Sequence, residues 1–297
     1  MSDRIPEQNK QEPMNLTKRL STSGAASRRK AAELIKEGAV TVNGTVETNP
    51  ATIVKPSDRI TLNGKEIESA PELVYIMLNK PRGYVCTNED IHAKKKAVDL
   101  IRLRNEVRLF SAGRLDKDSE GLIIFTNDGK FADRLMHPRN EVMKTYALSV
   151  AHPFAEEQLQ QMVDGIQDDG ETLSAEEVYQ RGDRKYILVL AEGKKREIRR
   201  MVAALGNETK RLERIAIGNL KRGMLKPGEW RMMTRRDVAQ ILMLEEDDPE
   251  VMNFSRNLNS KPFYNYKARG KQTTGRPPRR PSGQRGGNFR GGRSGKQ

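Results

Sequence analysis

The chain has 297 residues, enough to bury at least one sizeable core, and its length sets a prior of about two domains. Its single cysteine, Cys86, excludes an internal disulfide framework and a cysteine-rich zinc site, which suits a reducing compartment. No segment has the pattern of a secretory signal or reaches transmembrane length, so we expect a soluble, cytoplasmic protein without a membrane partner.

The net charge of +14 is concentrated at the carboxyl end of the chain. Residues 255–297 carry twelve lysines or arginines and no aspartate or glutamate, so the remaining chain is nearly balanced. Glycine, proline and arginine dominate this end, a composition that cannot bury a core. We therefore predict a disordered start at 1–13 and a disordered basic tail at 247–297, which binds RNA weakly or, as the less favoured alternative, only keeps the protein soluble.

A small folded module is predicted at 14–70. Ser27 is a good N-cap and Gly38 a left-handed helix stop, so a helix is expected from about residue 28 to 37. Two Asn-Gly pairs, at Asn43 and Asn63, lie among β-prone residues and predict small hairpins. Cations of the helix pair could form one face for RNA phosphates, although such faces are commonly just solvated. These cations are Lys18, Arg19, Arg28, Arg29 and Lys30.

A second domain is predicted at 72–246. It opens with an apolar strand that ends at Pro81, and Lys80 is expected to be an exposed residue or an RNA contact at the turn. Later segments alternate as strands or repeat apolar residues at helical spacing. The expected strands are 144–150 and 185–190, and the expected helices are 130–136, 154–163, 196–205 and 235–244.

The most informative stretch of this domain is 113–129. A polar loop with three carboxylates runs directly into the apolar strand Leu122 to Phe125, which fixes the downstream end of the loop. Spacing alone favours an ordinary turn, because aspartate and glycine cluster in turns for local reasons. An EF-hand is excluded, since Asn127 stands where the bidentate glutamate belongs.

Motifs in both predicted domains carry a family resemblance. The run Gly113 to Asp116, followed by Ser119 to Asn127, resembles the signature of the RNA pseudouridine synthases, in particular the RsuA-type branch that acts on ribosomal RNA. The Asn-Lys-Pro-x-Gly turn ending at Gly83, the Lys-x-Tyr motif ending at Tyr146 and the Glu-Ile-Arg run ending at Arg199 are similar to other family motifs. Within 14–70, the order of the helix start, glycine and Val-x-Val-Asn-Gly resembles the S4 RNA-binding domain.

The resemblance implies an α+β protein: an S4 module followed by a catalytic domain on a mixed, mainly antiparallel sheet. It implies that Asp116 is the nucleophile, that Tyr146 stacks on the target base, and that Arg199 meets the aspartate. Desolvation would favour the neutral acid, and a buried arginine would favour the ionised form that the reaction requires. Further implied positions are Leu115 and Leu212 in the uracil pocket and Arg114, Arg196 and Arg200 at the RNA.

The implied reaction breaks the bond from ribose C1′ to uracil N1 and rejoins the base through C5. No atom is gained or lost, so no cofactor is expected, and the sequence shows no phosphate loop or dinucleotide fingerprint. The three histidines, His92, His137 and His152, have spacings that suggest no metal site. Whether Asp116 attacks ribose C1′, attacks uracil C6 or removes a proton from C2′ stays open.

The expected partner is ribosomal RNA, with the large subunit favoured, and the expected state is a monomer. Two alternatives stay open. One is a non-catalytic S4-type RNA-binding or ribosome-assembly protein, which the presence of all three implied catalytic residues disfavours. The other is a synthase that acts on another structured RNA such as transfer RNA.

Overall fold

The computed structural model describes residues 12–68, 70–87, 94–103, 107–256 and 258. The predictions for residues 1–11 and for most of the basic tail lie outside this part of the chain, as does His92. Within these ranges, no helix is both long enough and apolar enough to cross a membrane. The same residues contain no group of three or more histidine, cysteine, aspartate or glutamate side chains placed to hold a metal ion.

The amino-terminal module has two short helices, two small sheets and a core of its own. The Ser27 side chain accepts a hydrogen bond from the backbone N–H of Lys30, which confirms its predicted role as N-cap. Asn43 and Asn63 adopt left-handed φ angles of 52° and 49°, as Asn-Gly hairpins require. The elements are β1 (Met14–Asn15), α1 (Leu16–Thr22), α2 (Arg28–Lys36), β2 (Val40–Val42), β3 (Thr45–Val46), β4 (Ile53–Val54), β5 (Ile60–Leu62) and β6 (Lys65–Glu66).

The second domain is built on a nine-stranded mixed sheet. Its strands are β7 (Tyr75–Lys80), β8 (Phe110–Ala112), β9 (Glu120–Thr126), β10 (Lys144–Val150), β13 (Glu177–Gly182), β14 (Lys185–Leu190), β15 (Thr209–Ile217), β16 (Leu220–Lys221) and β17 (Trp230–Met232). The main path runs β13-β14-β10-β15-β9-β7-β17, with β16 beside β15 and β8 beside β9. Only the β15–β9 pair among these is parallel, so the predicted mixed, mainly antiparallel sheet and the α+β class are confirmed.

Helices cover both faces of this sheet, and each face has its own apolar core. The predicted strands at 144–150 and 185–190 are confirmed, and all four predicted helices are present with ends shifted by one or two residues. The helices are α3 (Gly129–Met136), α4 (Glu156–Asp164), α5 (Glu197–Ala204), α6 (Arg235–Leu242) and α7 (Pro249–Ser255), with a separate hairpin of β11 (Ile166–Asp168) and β12 (Glu171–Leu173).

Helix α7 corrects the predicted start of the tail. The boundary at residue 247 was drawn where the composition turns charged, but Asp248 caps a further helix with Pro249 in its first turn. Val251 of this helix is fully buried in the core that also holds residues of α3 and α6. Folded chain therefore continues at least to Ser255.

Gly121 fixes the geometry at the start of β9. Its φ is +107°, and a Cβ built at this position would lie 2.2 Å from the backbone oxygen of Arg214 on β15. The parallel strands can approach this closely only because residue 121 has no side chain. The strand bends here into the loop that carries Asp116.

Candidate active site

The loop between β8 and β9 presents Asp116 at one end of the sheet. The backbone N–H of Ser119 donates to the backbone oxygen of Asp116 at 3.1 Å, which closes a turn. The backbone N–H of Gly83 donates to Lys117 O at 2.7 Å and ties the loop to the turn after β7. The Asp116 side chain is 33% exposed, so the carboxylate is accessible but held on a fixed backbone.

Lys80 supports this loop from below, a role that the sequence did not predict. Its side chain is fully buried, and Nζ donates to the backbone oxygen of Ser119 at 2.6 Å and of Pro81 at 3.2 Å. Burial lowers the pKa of this lysine, while Cys86, Asp116 and Glu120 act in the opposite direction. The expectation of an exposed residue or an RNA contact was wrong.

Arg199 lies beside Asp116, as the resemblance implied. Its Nε is 4.0 Å from Oδ2 of Asp116, and its side chain is only 13% exposed. Nη2 donates to the backbone oxygen of Asp118 at 3.1 Å and to Oγ of Ser119 at 3.3 Å. Burial and the neighbouring Arg196 lower the pKa of Arg199, and the two aspartates raise it. The guanidinium of Arg199 thus both holds the loop and faces the carboxylate of Asp116.

Arg196 is a second cation at the same carboxylate. It has a left-handed φ of 53° just before α5, which turns its side chain toward the loop. Nη1 lies 3.9 Å from Oδ2 of Asp116 and 3.8 Å from Oδ2 of Asp118. The RNA contact of Arg196 stays a prediction. Its position close to the carboxylate of Asp116 is a feature that the sequence spacing did not reveal.

Arg200, in contrast, is occupied by other protein groups. Nε lies 2.5 Å from Oδ2 of Asp168, Nη1 2.5 Å from Oε2 of Glu171, and Nη2 2.8 Å from the backbone oxygen of Asp168. These bonds raise the pKa of Arg200 and join α5 to the β11–β12 hairpin. A cleft of about 480 Å³ lies here, lined by Asp169, Glu171, Lys195, Arg196 and Arg200. Arg200 thus holds α5 to the hairpin, and its RNA contact stays a prediction.

The three predicted pocket side chains share one core with Ile198 of α5. Leu115, Tyr146 and Leu212 are 7%, 8% and 5% exposed. Strand register places Leu212 opposite Leu148, two residues from Tyr146 on the same face of the sheet. The structure thus brings these side chains together, while the stacking of Tyr146 on a base stays a prediction because core neighbours cover most of its ring.

The predicted RNA-binding cations of the loop and of the amino-terminal module differ in exposure and in partners. Arg114 is exposed on the Asp116 loop, and Arg29 is exposed on α2. Lys18 and Arg28 come together at a cleft of about 330 Å³ in the amino-terminal module. Lys30 pairs with Glu33 at 3.2 Å, and Nε of Arg19 is buried without a hydrogen-bond acceptor among the described residues. Arg28, Arg29 and Lys30 are the exposed members of the predicted face, whereas Lys18 and Arg19 are half-buried.

The site thus combines a supported carboxylate with two guanidiniums, and the chain also carries a separate small basic module. This combination suits an enzyme that acts on a polyanionic substrate. A model of the RNA pseudouridylate synthase family matches residues 74–204, and a model of the S4 domain matches residues 14–60. Ribosomal large subunit pseudouridine synthase B of Bacillus subtilis (strain 168) is 38% identical over 237 residues, which cover 78% of this chain and 96% of that protein.

Two further comparisons agree. Dual-specificity RNA pseudouridine synthase RluF of Escherichia coli (strain K12) is 37% identical over 239 residues, or 79% of this chain and 80% of that protein. A crystal structure of a pseudouridylate synthase is 30% identical with a TM-score of 0.58, and the match covers 77% of this chain and 99% of the other. This chain belongs to the RNA pseudouridine synthase family and carries an amino-terminal S4 domain, which confirms the resemblance.

Proposed function

We propose that this protein isomerises a uridine of ribosomal RNA to pseudouridine, with a large-subunit site as the target. The placement of Arg199 beside Asp116 carries the proposal, because it puts a guanidinium next to a carboxylate whose loop the same side chain holds in position. The large-subunit target rests on the relative from Bacillus subtilis, whose name gives that specificity. The protein acts as a monomer in the cytoplasm, where ribosomal RNA is available.

Asp116 is the nucleophile in this proposal. The bond between C1′ and N1 breaks, the base turns within the site, C5 bonds to C1′, and the proton on C5 is lost while N1 gains one. A carboxylate serves this chemistry as it serves glycosidases, by meeting an electron-poor anomeric carbon. Arg199 and Arg196 stabilise the ionised carboxylate, since opposite charges a few ångströms apart attract.

The base must leave the RNA stack before it can react, and the pocket side chains stabilise it once it has turned out. Tyr146 offers a ring for stacking, and Leu115 and Leu212 offer apolar contacts beside it. The cations Lys18, Arg28 and Arg29 of the S4 domain, with Arg114 near the carboxylate, bind phosphates of the folded substrate.

The proposal is tested by mapping pseudouridine in ribosomal RNA from a strain that lacks this gene. We expect one large-subunit position to lose pseudouridine and to regain it with the wild-type gene but not with Asp116→Asn. A small-subunit position that responds instead would correct the target alone. An unchanged pseudouridine map would contradict the proposal and favour the non-catalytic RNA-binding alternative.

A second substrate is a candidate because one relative, 37% identical, is named a dual-specificity enzyme. The same strains should then show a second position that depends on this gene, either in ribosomal RNA or in transfer RNA. Sequencing both RNA classes from one culture distinguishes a single from a dual specificity.

A further inference from the structure

Four residues from four neighbouring strands form a row across the sheet beside the Asp116 loop. Lys80 of β7 is paired with Gly121 of β9, Gly121 with Arg214 of β15, and Arg214 with Tyr146 of β10. Residues paired in this way point to the same face of a sheet. Lys80 and Arg214 therefore lie on the face that also carries Tyr146, with the side-chain-free position of Gly121 between them.

Arg214 is the unexplained member of this row. It is only 4% exposed, and Nε donates to the backbone oxygen of Leu122 at 2.7 Å. Nη2 is fully buried and has no hydrogen-bond partner among the described residues. No carboxylate of these residues forms an ion pair with Arg214, although the structure shows such pairs for many other arginines. A buried charge with an unused donor is costly, and the position of Arg214 beside Tyr146 makes it a candidate for a function beyond packing.

The surroundings of Arg214 define the ligand that its free donor suits. Tyr146 is its neighbour on β10, Leu212 lies two residues earlier on the same face, and both are among the proposed pocket residues. A flat, neutral group with a carbonyl oxygen is the chemistry that suits a free N–H donor next to a ring and an aliphatic side chain. A phosphate fits poorly, because it would bring its own charge from water into an apolar floor.

We propose that Arg214 is a base-recognition residue whose Nη2 donates a hydrogen bond to a carbonyl oxygen, O2 or O4, of the target uracil. The inference rests on the proposed function, because it assigns the pocket to a uridine turned out of the RNA. The bond to Leu122 O fixes the guanidinium through Nε, so Nη2 has a defined direction before the base arrives. Arg214 thus orients the ring relative to Asp116.

The test combines protein and substrate substitutions. Arg214→Lys keeps the charge but loses the forked donor, and Arg214→Met loses both. The substrates are synthetic hairpins that contain the mapped uridine as uridine, 2-thiouridine or 4-thiouridine, since sulfur accepts hydrogen bonds more weakly than oxygen. For the wild type, we expect one thio-substitution to lower kcat/KM, and both variants to lower kcat/KM on uridine by about 10- to 100-fold.

The decisive result is the coupling between the two changes. If Arg214 contacts the base, the penalty of that one thio-substitution disappears in Arg214→Met, which has no donor, and the position of the sulfur identifies O2 or O4. A thio penalty that is unchanged in the variant, for both substrates, would overturn the inference and leave Arg214 a structural residue.

Controls separate folding and general function from recognition. Arg231→Lys changes a strand arginine that pairs with Asp237 at 2.6 Å, and its partner on β7, Met77, belongs to the core of the opposite face. This variant should show the full wild-type thio penalty. Thermal unfolding checks that each variant is folded. Inactivity of the wild type on every ribosomal RNA would refute the proposed function itself, whereas an active wild type without coupling would refute only the role of Arg214.

Discussion

The carboxylate of Asp116 and the guanidinium of Arg199 lie 4.0 Å apart, between a loop of the sheet and a helix from a much later part of the chain. At this distance the Coulomb attraction between two unit charges, before any cost of desolvation, is about 1 kcal/mol in bulk water and about 4 kcal/mol near a protein surface. The same guanidinium also donates to Asp118 O and Ser119 Oγ, so it fixes the backbone on which the carboxylate stands. One side chain therefore supplies both charge and position.

Asp116→Asn should abolish catalysis without unfolding the protein. The amide keeps the shape of the side chain but cannot act as an anionic nucleophile, so we expect release of tritium from uracil C5 to fall by at least about 10³-fold. Asp118→Asn is the matched control on the same loop, because Asp118 also faces Arg196, at 3.8 Å. That variant should stay within about tenfold of wild type. Near-normal activity of Asp116→Asn would refute the nucleophile assignment.

Arg199→Met should impair both rate and stability. The variant loses the cation beside Asp116 and leaves Asp118 O and Ser119 Oγ without their donor, so we expect kcat to fall by about 100-fold and the unfolding free energy by about 1–2 kcal/mol. Arg196→Met, at an exposed position that donates no such bonds to the loop, is the control. It should change stability little, and its effect should appear mainly in KM. Equal kinetics for the two variants would contradict this division of roles.

The sequence predicted what depends on local pattern. Residue alternation located β10 and β14, and the capping signal of Ser27 located the start of α2 within one residue. The proximity of Asp116 and Arg199 came from a family motif, since nothing local to either residue indicates that a helix returns to that loop.

Long-range relationships account for what was missed. Lys80 is the last residue of β7, a strand in which every residue is buried, so the apolar run before it could have predicted its burial, but the adjoining proline suggested an exposed turn. The Arg200 network and the free donor of Arg214 depend on which strands become neighbours, and that pairing is decided by the packed core. Helix α7 was missed because its segment is short and charged, while a single buried face attaches it to the domain.

Gly121→Ala should be among the most destabilising single changes in this domain. A methyl group would lie 2.2 Å from Arg214 O, and the φ of +107° is unfavourable for alanine, so we expect a loss of at least about 3 kcal/mol in urea unfolding. Gly113→Ala separates the two causes, because its φ is +85° but its nearest neighbour lies 3.9 Å away. It should cost only about 1 kcal/mol. Similar losses for both variants would show that strand contact at Gly121 is relieved by movement.

Lys80→Met should loosen the loop that holds Asp116. The substitution keeps the length of the buried side chain but leaves the backbone oxygen of Ser119 without its donor at 2.6 Å. We expect the free energy of unfolding to fall by about 1–3 kcal/mol, which thermal unfolding would show as a lower melting temperature. We also expect kcat to fall, because the carboxylate loses its support. Lys117→Met, at an exposed position of the same loop, should leave both unchanged. An unaltered kcat in a folded Lys80→Met protein would show that the loop is held without this lysine.

The titration of the half-buried Lys144 should make the free energy of unfolding rise between pH 8 and about 10. Burial, helped by the charge of Arg214, lowers its pKa from 10.5 to about 8, although Nζ donates to Ala191 O at 2.9 Å. Below pH 8 both the folded and the unfolded chain hold the proton, so the cost of the buried ammonium group is fully present. Between the two pKa values only the unfolded chain holds it, and the cost is relieved as the pH rises. Because the side chain is partly exposed, solvent screening reduces the expected gain to about 1 kcal/mol.

Urea unfolding at pH 7.5, 9 and 10 measures this gain. The free energy of unfolding of the wild type should rise with pH relative to that of Lys144→Met, whereas its difference from the exposed control Lys185→Met should stay constant. A difference between wild type and Lys144→Met that is constant with pH would contradict the titration of a buried lysine.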